Sequence, residues 1–290
     1  NTLTGGKWTD NIGKVSSGGN SPVVEGHMLN EYRYRSVYKG NGKYFNADGS
    51  VNPAGGPKGG MIRTEEDMNW VKAMMDAGYK FKPGNSIGKA NIYYGDYIYA
   101  DVNGDGVYGD SDDEEFQGRS KTPKYNFGFQ ASAAWNGFDI SMVWAGAAGF
   151  DIYWGPTAGY NAAKTEWGNN IAQRIADDHY FYDPSNPDDP RTNINGKYPR
   201  MTYLDGNVQN NASSNRWLYN GDYIKLKNLS LGYTLPQKWV TKVAMQNARI
   251  YVSAENLLTI TSFEGQDPES ATGMGYAPFR SIALGANITF

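Results

Sequence analysis

At 290 residues the chain has room for one or two domains. Its net charge of −3 gives no basic footprint for nucleic acid, the lack of cysteine excludes thiol catalysis, disulfides and zinc–thiolate sites, and only His27 and His179 are available as imidazole ligands. Mean hydropathy is −0.64, and no window approaches the roughly 18 apolar residues of a transmembrane helix, which excludes a helical membrane protein but not a barrel whose strands show an apolar face only at alternate positions.

The first 123 residues are irregular. Residues 29–38 place Arg33 and Arg35 on one face, and 91–101 show no clean period, so this stretch is expected to be mostly an excursion outside any membrane. A short helix is predicted over 64–77, with Thr64 as N-cap, Asp67 three residues on, and Gly78 as the stop. Met68, Val71, Met74 and Met75 read as its packing stripe.

The acidic loop 101–112 follows. Asp101, Asn103 and Asp105 stand at positions 1, 3 and 5 of an EF-hand-type spacing, Gly106 at the sharp turn, Val107 where a backbone carbonyl serves, and Asp112 at position 12. Gly109 at position 9 would need a water, and Asp112 is shorter than the usual Glu, with Asp113 as a possible substitute. This predicts a structural Ca2+ site, with Mg2+ as the lesser option; the competing reading is an Asp/Asn/Gly turn without metal.

From 124 the pattern becomes regular. Tyr125, Phe127, Phe129, Ala131, Ala133 and Trp135 alternate with Asn126, Gly128, Gln130, Ser132 and Ala134, which is the period of a strand. Asn136-Gly137 favours a two-residue type I′ turn, and Phe138, Ile140, Met142 and Trp144 return on one face. That turn sets Trp135 opposite Phe138, Ala133 opposite Ile140 and Ala131 opposite Met142, so both apolar series share a face. Further strands are predicted at 222–235, 248–260 and 281–290, beside 124–135 and 138–150. Ile224 and Leu226 have the wrong parity relative to Leu229, which calls for a bulge near Lys227-Asn228 or a strand already clear of the membrane there. Asn256 is the one polar residue on the apolar side of its strand.

The opposite face is mainly Gly, Ser, Asn and Thr, unusually neutral for a sandwich in water but suited to a barrel lumen. The predicted fold class is therefore all-β, the C-terminal segment of a large antiparallel transmembrane barrel with long extracellular loops at 151–221 and 261–280. Short turns at 136–137 and 236–247 would be periplasmic, with Phe290 at the periplasmic end. Five strands cannot close a barrel, so the remaining wall is expected upstream of Asn1 or, less simply, from a partner chain. The alternative is a secreted calcium-stabilised carbohydrate-binding β-protein.

Several segments together carry a family resemblance. Gly95-Asp96-Tyr97-Ile98-Tyr99-Ala100-Asp101-Val102-Asn103-Gly104-Asp105-Gly106, Tyr125-Asn126-Phe127-Gly128-Phe129 and Trp135-Asn136-Gly137-Phe138-Asp139-Ile140-Ser141 come first. The run from Tyr223 to Pro236, Ile250-Tyr251-Val252-Ser253-Ala254-Glu255-Asn256-Leu257-Leu258-Thr259, and Asn287-Ile288-Thr289-Phe290 follow in order. Over about 90–290 the chain resembles SusC/RagA-type TonB-dependent transporters of the bacterial outer membrane. The resemblance implies a plugged barrel of about 22 strands embedded in outer-membrane lipid. It also implies coupling to TonB through an N-terminal part not in this chain, a SusD-like surface lipoprotein as lid, and glycan or peptide cargo.

Trp154, Tyr160, Trp167, Tyr180, Tyr182 and Trp217, in the long 151–221 loop, are the candidate contacts for cargo or lid, since aromatic faces stack on sugars and peptide side chains; the competing reading is loop packing or an interfacial girdle. Tyr203 and Tyr219 are loop aromatics of the same kind. Asp177-Asp178 with His179, Asp188-Asp189 and Ser213-Ser214 show no arrangement that supports catalysis, and no enzyme is predicted.

Overall fold

The computed structural model describes residues 26–155, 173–201, 209–270 and 278–290. These fall into two compact units, one drawn from 120–153 and 219–290, the other from residues up to 119 together with 154–218.

The first unit is a five-stranded antiparallel meander. Its strands are β1 (Tyr125–Trp135), β2 (Phe138–Ala148), β3 (Tyr223–Thr234), β4 (Asn247–Thr261) and β5 (Ser281–Thr289), each hydrogen-bonded to the next in chain order. Asn136 and Gly137 adopt φ of 50° and 85°, the doubly left-handed conformation that a type I′ turn demands. The register follows: Trp135 opposes Phe138, Ala133 opposes Ile140, and Ala131 opposes Met142.

The alternation of each strand is aligned across all five. One row runs Trp135, Phe138, Tyr233, Ile250, Ala286; the next runs Ala133, Ile140, Leu231, Val252, Leu284; a third runs Ala131, Met142, Leu229, Ala254, Ile282. Between them, on the other face, Ser132, Ser141, Ser230, Ser253 and Ala283 form a row of small polar and neutral groups. The sheet thus has an apolar face and a polar face without a breach in its central part.

The parity problem in β3 is resolved by a bulge. Asn228 opposes Val143 on one side and Glu255 on the other, yet the next paired residue is Leu226, so Lys227 is the extra residue on both sides. On β4 the same irregularity takes up Asn256 and Leu257, and Asn256 has φ of 50°. One skipped residue restores Leu226 and Ile224 to the apolar face and turns Lys225 to the polar one. The polar breach at Asn256 is therefore a bulge residue and not a member of the alternating face.

The short-turn end carries Gln237–Val240 as a single helical turn followed by Thr241–Val243, with Trp239 and Val243 exposed. The long connections 149–222 and 262–280 leave the opposite end of the sheet.

The second unit is built around the helix α1 (Glu65–Asp76). Thr64 caps it in a reciprocal box with Asp67, which satisfies two orphan N–H groups at once. Met68, Trp70, Val71 and Met74 are buried against Tyr38, Ile62, Phe81, Ile92, Ile98 and Tyr108. Glu31–Arg35 pairs with Glu114–Ser120 as a separate two-stranded sheet. Residues 91–101 are turns and isolated bridges, buried from Gly95 to Tyr99 without alternation, which is why no period was legible there.

Candidate functional site

The family-like segment starting at Gly95 lies in the core of the second unit. Asp96 is fully buried, and Arg200 closes on it with Nε–Oδ1 of 2.6 Å and Nη2–Oδ2 of 3.0 Å. Asn210 Nδ2 donates to the same carboxylate at 2.8 Å, the Tyr93 amide donates at 2.9 Å, and Asn210 in turn accepts from the Tyr97 amide. Burial pushes the Asp96 carboxyl up to about 6 against the opposing pull of Arg200 and its hydrogen-bond donors. Gly95, at φ of 83°, lies where an added Cβ would come within 2.4 Å of the Tyr180 ring, so only glycine allows this backbone to pass beneath Tyr180.

Beside this clasp is a cleft of about 380 Å³, lined by Tyr93, Tyr94, Tyr180, Tyr182, Lys89 and Arg200 among others. Tyr93 and Tyr94 meet edge to face at 5.3 Å and 82°, and Tyr94 and Tyr182 at 5.3 Å and 73°. The Arg200 guanidinium lies 5.4 Å from the Tyr93 ring centre and also donates to the Lys89 carbonyl.

Of the aromatic residues singled out by sequence, Tyr182 is half-buried in this cleft. Tyr180 forms its floor, 1% exposed, with its hydroxyl donating to the Arg63 carbonyl at 2.8 Å. Trp154 and Trp217 are buried, which favours packing over an outward-facing role for both. Tyr160 and Trp167, like Tyr203, lie outside the described residues. Tyr93 and Tyr94 were missed because they precede the loop that the sequence pointed to, and the clasp was missed because Asp96 and Arg200 are 104 residues apart.

In the acidic loop, Asp101 accepts from the Gly104 and Gly106 amides, Asn103 from Asp105 and Asp105 from Val107. Asp112 is exposed. The residue drawn inward is Asp113, fully buried, whose carboxylate takes the amides of Val102, Asn103, Gly109 and Asp110. Among the described residues no group of three acidic or histidine side chains is arranged to hold a metal.

The residues considered for catalysis stay apart in role. The His179 ring lies against the carbonyls of Ile175 and Ala176, and Asp189 is paired with Arg191 at 2.6 Å. That pairing holds the Asp189 carboxyl down at about 2.

The first unit carries a second polar cluster. Lys225, on the polar face of β3, is fully buried, with its Nζ 2.5 Å from Asp267 and 2.8 Å from Glu269; Lys227, the bulge residue, reaches Glu269 at 2.6 Å. Burial works to raise the Glu269 carboxyl, and the hydrogen bonds from both lysines outweigh it, leaving it below its ordinary range. A lone lysine pair in an otherwise neutral strand was the available signal.

No protein-family model matches the chain. TonB-dependent receptor P3 of Formosa agariphila is 29% identical over 228 residues, covering 73% of this chain and 21% of its own length. TonB-dependent receptor SusC of Bacteroides thetaiotaomicron is 26% identical over 86 residues, covering 28% of this chain and 9% of its own. Among solved structures, the RagAB peptide importer in its 'closed-closed' state aligns at 23% identity with a TM-score of 0.49, covering 73% of this chain and 22% of that one. The chain thus spans about a fifth of the length of the receptor P3, and these relatives are named as receptors, not enzymes. With its segments in the expected order on a five-stranded antiparallel sheet, the chain is similar over most of its length to TonB-dependent receptors, the SusC receptor among them over a shorter stretch.

Proposed function

We propose that the five-stranded sheet is part of the wall of an outer-membrane barrel that imports nutrients with energy from TonB. The observation that carries this reading is the uncovered apolar face. Trp135, Phe138, Leu231, Ile250, Ile282 and Leu284 are between 47% and 78% exposed on that face. A sheet face of this extent would cost heavily in water, at about 25 cal/mol per Å² of apolar surface, and nothing at all in lipid.

Its dimensions agree. Tyr125 and Trp135 stand ten residues apart on β1, which at about 3.4 Å per residue and a tilt of about 40° spans some 26 Å, close to the roughly 25 Å apolar band between aromatic girdles. The edges point the same way: β1 is exposed along its whole length and β5 almost so, and two open edges in lipid must be closed by further strands of the same barrel. The secreted carbohydrate-binding alternative has no account of this face.

In this reading the short turns at 136–137 and 236–247 are periplasmic and the second unit is extracellular, where a SusD-like lipoprotein would cover it. The relatives bear names of receptors and of a peptide importer, and the cargo here is a glycan or a peptide. Cell fractionation tests the reading: the full-length protein stays with outer membranes and needs detergent for release. Recovery in the soluble fraction contradicts it.

A structural Ca2+ in the 101–112 loop is a second proposal, resting on the oxygen-donor spacing of Asp101, Asn103, Asp105, the Val107 carbonyl and Asp112. The ion would neutralise carboxylates that otherwise crowd one turn. Calorimetric titration of the full-length protein decides it: saturable binding lost in Asp105→Ala supports the site, and no heat in the wild type ends it.

A further inference from the structure

We propose that the short-turn end of the sheet holds an anionic phospholipid, with its headgroup on Lys238 and Lys242 and an acyl chain in a groove on the apolar face. This rests on the barrel-wall reading above, which puts that end of the sheet at the periplasmic leaflet.

The groove comes from a step in side-chain size. Ala133 is small where Trp135 and Phe138, one row nearer the turn, are large. Behind those rings the surface drops into a depression of about 380 Å³, lined by Ala133, Trp135, Phe138, Ile140 and Leu231. Neither Arg249 nor the serine row borders it, which places it on the apolar face. Trp135 is 78% exposed, so its ring stands out of the sheet and walls the groove without filling it. The depression lies over β2 with β1 and β3 on either side, so strands added at the edge of β1 do not run over it.

The headgroup site is the helical segment between β3 and β4. Gln237–Val240 packs against β4 and buries Val240, and the backbone stays helical through Thr241 into Thr241–Val243. Trp239 and Val243, four residues apart, are therefore exposed on one side, and Lys238 and Lys242 have the same spacing beside them. A tryptophan and an aliphatic group flanked by lysines is the side-chain set of an element lying in a lipid headgroup layer. Residues 236–247 contain two lysines and no acid. Neither lysine side chain has a hydrogen bond or ion pair among the described residues. The one acidic side chain on the strands at this end, Asp139, is already held by Arg249. Two uncompensated ammonium groups at this level call for an anion.

The two parts fit one molecule in depth. Along β3 the turn follows Leu235, Tyr233 comes next, and Leu231 of the groove lies two residues further in. The turn and the groove also share β3, so they are neighbours across the sheet as well. Charge outside and an apolar channel inside is the order of a phospholipid entering a leaflet, and a soluble anion would leave the groove unused.

The test titrates full-length protein in detergent with palmitoyl-oleoyl phosphatidylglycerol and with phosphatidylcholine of the same chains, bound lipid being counted by native mass spectrometry. One lysine near an anionic surface strengthens binding about fivefold, so phosphatidylglycerol should bind about tenfold more tightly or better. Lys238→Gln with Lys242→Gln should bring the two lipids within about twofold of each other, and Lys238→Arg with Lys242→Arg should keep the preference. Ala133→Phe fills the groove and should weaken phosphatidylglycerol about fivefold. Glycerol 3-phosphate, which carries the charge without a chain, should not compete. Photo-crosslinking of the wild type in phosphatidylcholine nanodiscs needs no variant to fold: phosphatidylglycerol with a diazirine in its acyl chain should label 133–140 and 229–233 above the rest of the apolar face. Equal affinity of the wild type for the two lipids, a preference unchanged in the glutamine pair, unaltered affinity in Ala133→Phe, even labelling over the face, or competition by glycerol 3-phosphate overturns the proposal. Recovery of the protein in the soluble fraction removes the wall reading itself; a protein that stays with outer membranes and shows no lipid preference removes this proposal alone.

Discussion

Arg249 of β4 reaches over Gly232 of β3 to grip Asp139 of β2, with Nε–Oδ1 at 2.9 Å and Nη2–Oδ2 at 2.5 Å. Gly232 opposes Asp139 on one side and Tyr251 on the other, so the guanidinium spans the full width of the middle strand. A Cβ on Gly232 would stand 2.3 Å from Arg249 Nη2. The glycine is required for space and the ion pair ties three strands together on the polar face.

Gly232→Val is therefore expected to displace the guanidinium and cost about 1–3 kcal/mol, as overpacking at a filled site does. The urea midpoint of the full-length protein should fall, and Arg249→Met in the same background should recover part of the loss by vacating the site. An unchanged midpoint in Gly232→Val would show that the space is not in use.

Lys225 is expected to be the costliest single charge to remove. Lys225→Met leaves Asp267 and Glu269 facing each other at the edge of the sheet with only Lys227 to answer them, and breaking a buried pair in this way costs about 3–5 kcal/mol. Faster proteolytic cleavage between 261 and 281 should accompany the loss, and Lys225→Met with Asp267→Asn and Glu269→Gln should reverse much of it. Equal cleavage rates in wild type and Lys225→Met would contradict the role.

Asp96 has a folded-state value raised to about 6 from an ordinary 3.8. Its folded form holds a proton that the unfolded form has already released between these values, so its contribution to stability falls as pH rises from about 4 to about 6 and is flat above. In Asp96→Asn that component disappears. Unfolding midpoints of wild type minus variant should decline across this window, and parallel curves would contradict the assignment.

The bulge at Lys227 offers a test of register. Deleting Lys227 makes Asn228 and Leu226 neighbours opposite Val143 and Trp144, so Leu226 and Ile224 stay on the apolar face and Lys225 on the polar one. Deleting Leu226 instead leaves Lys225 or Lys227 on the apolar face, where a lysine in mid-bilayer costs about 2–4 kcal/mol. The heat-modifiable folded band on gels should survive the first deletion and be lost in the second. Loss of the band in the Lys227 deletion, or normal assembly of the Leu226 deletion, would show that the bulge does not set parity.

What the sequence made legible was local. The Asn136-Gly137 turn dictates its hairpin register because two residues admit few geometries, and Thr64 with Asp67 dictates a helix start for the same reason. The parity break at Lys227 announced a bulge, although the break alone did not say which residue was extra. Apart from that helix, the second unit was legible only as an excursion. Its joints, Asp96 to Arg200 and Arg63 to the carbonyls of Ile194 and Gly196, link residues more than 100 positions apart, and such pairing leaves no periodic trace. The cleft shares that fate, since Tyr94 and Tyr182 meet only after both excursions have folded.

The most direct test of the central claim uses the absence of cysteine from this chain. Single cysteines at Leu231, Ile282 and Leu284 on one face, and at Ser230, Ser253 and Ala283 on the other, are spin-labelled in otherwise cysteine-free full-length protein in outer-membrane vesicles. The account predicts that the first three are accessible to oxygen and shielded from a water-soluble nickel chelate, and that the second three show the reverse. Equal access of the chelate to both sets would mean that the apolar face is not against lipid, and the barrel-wall reading would fall.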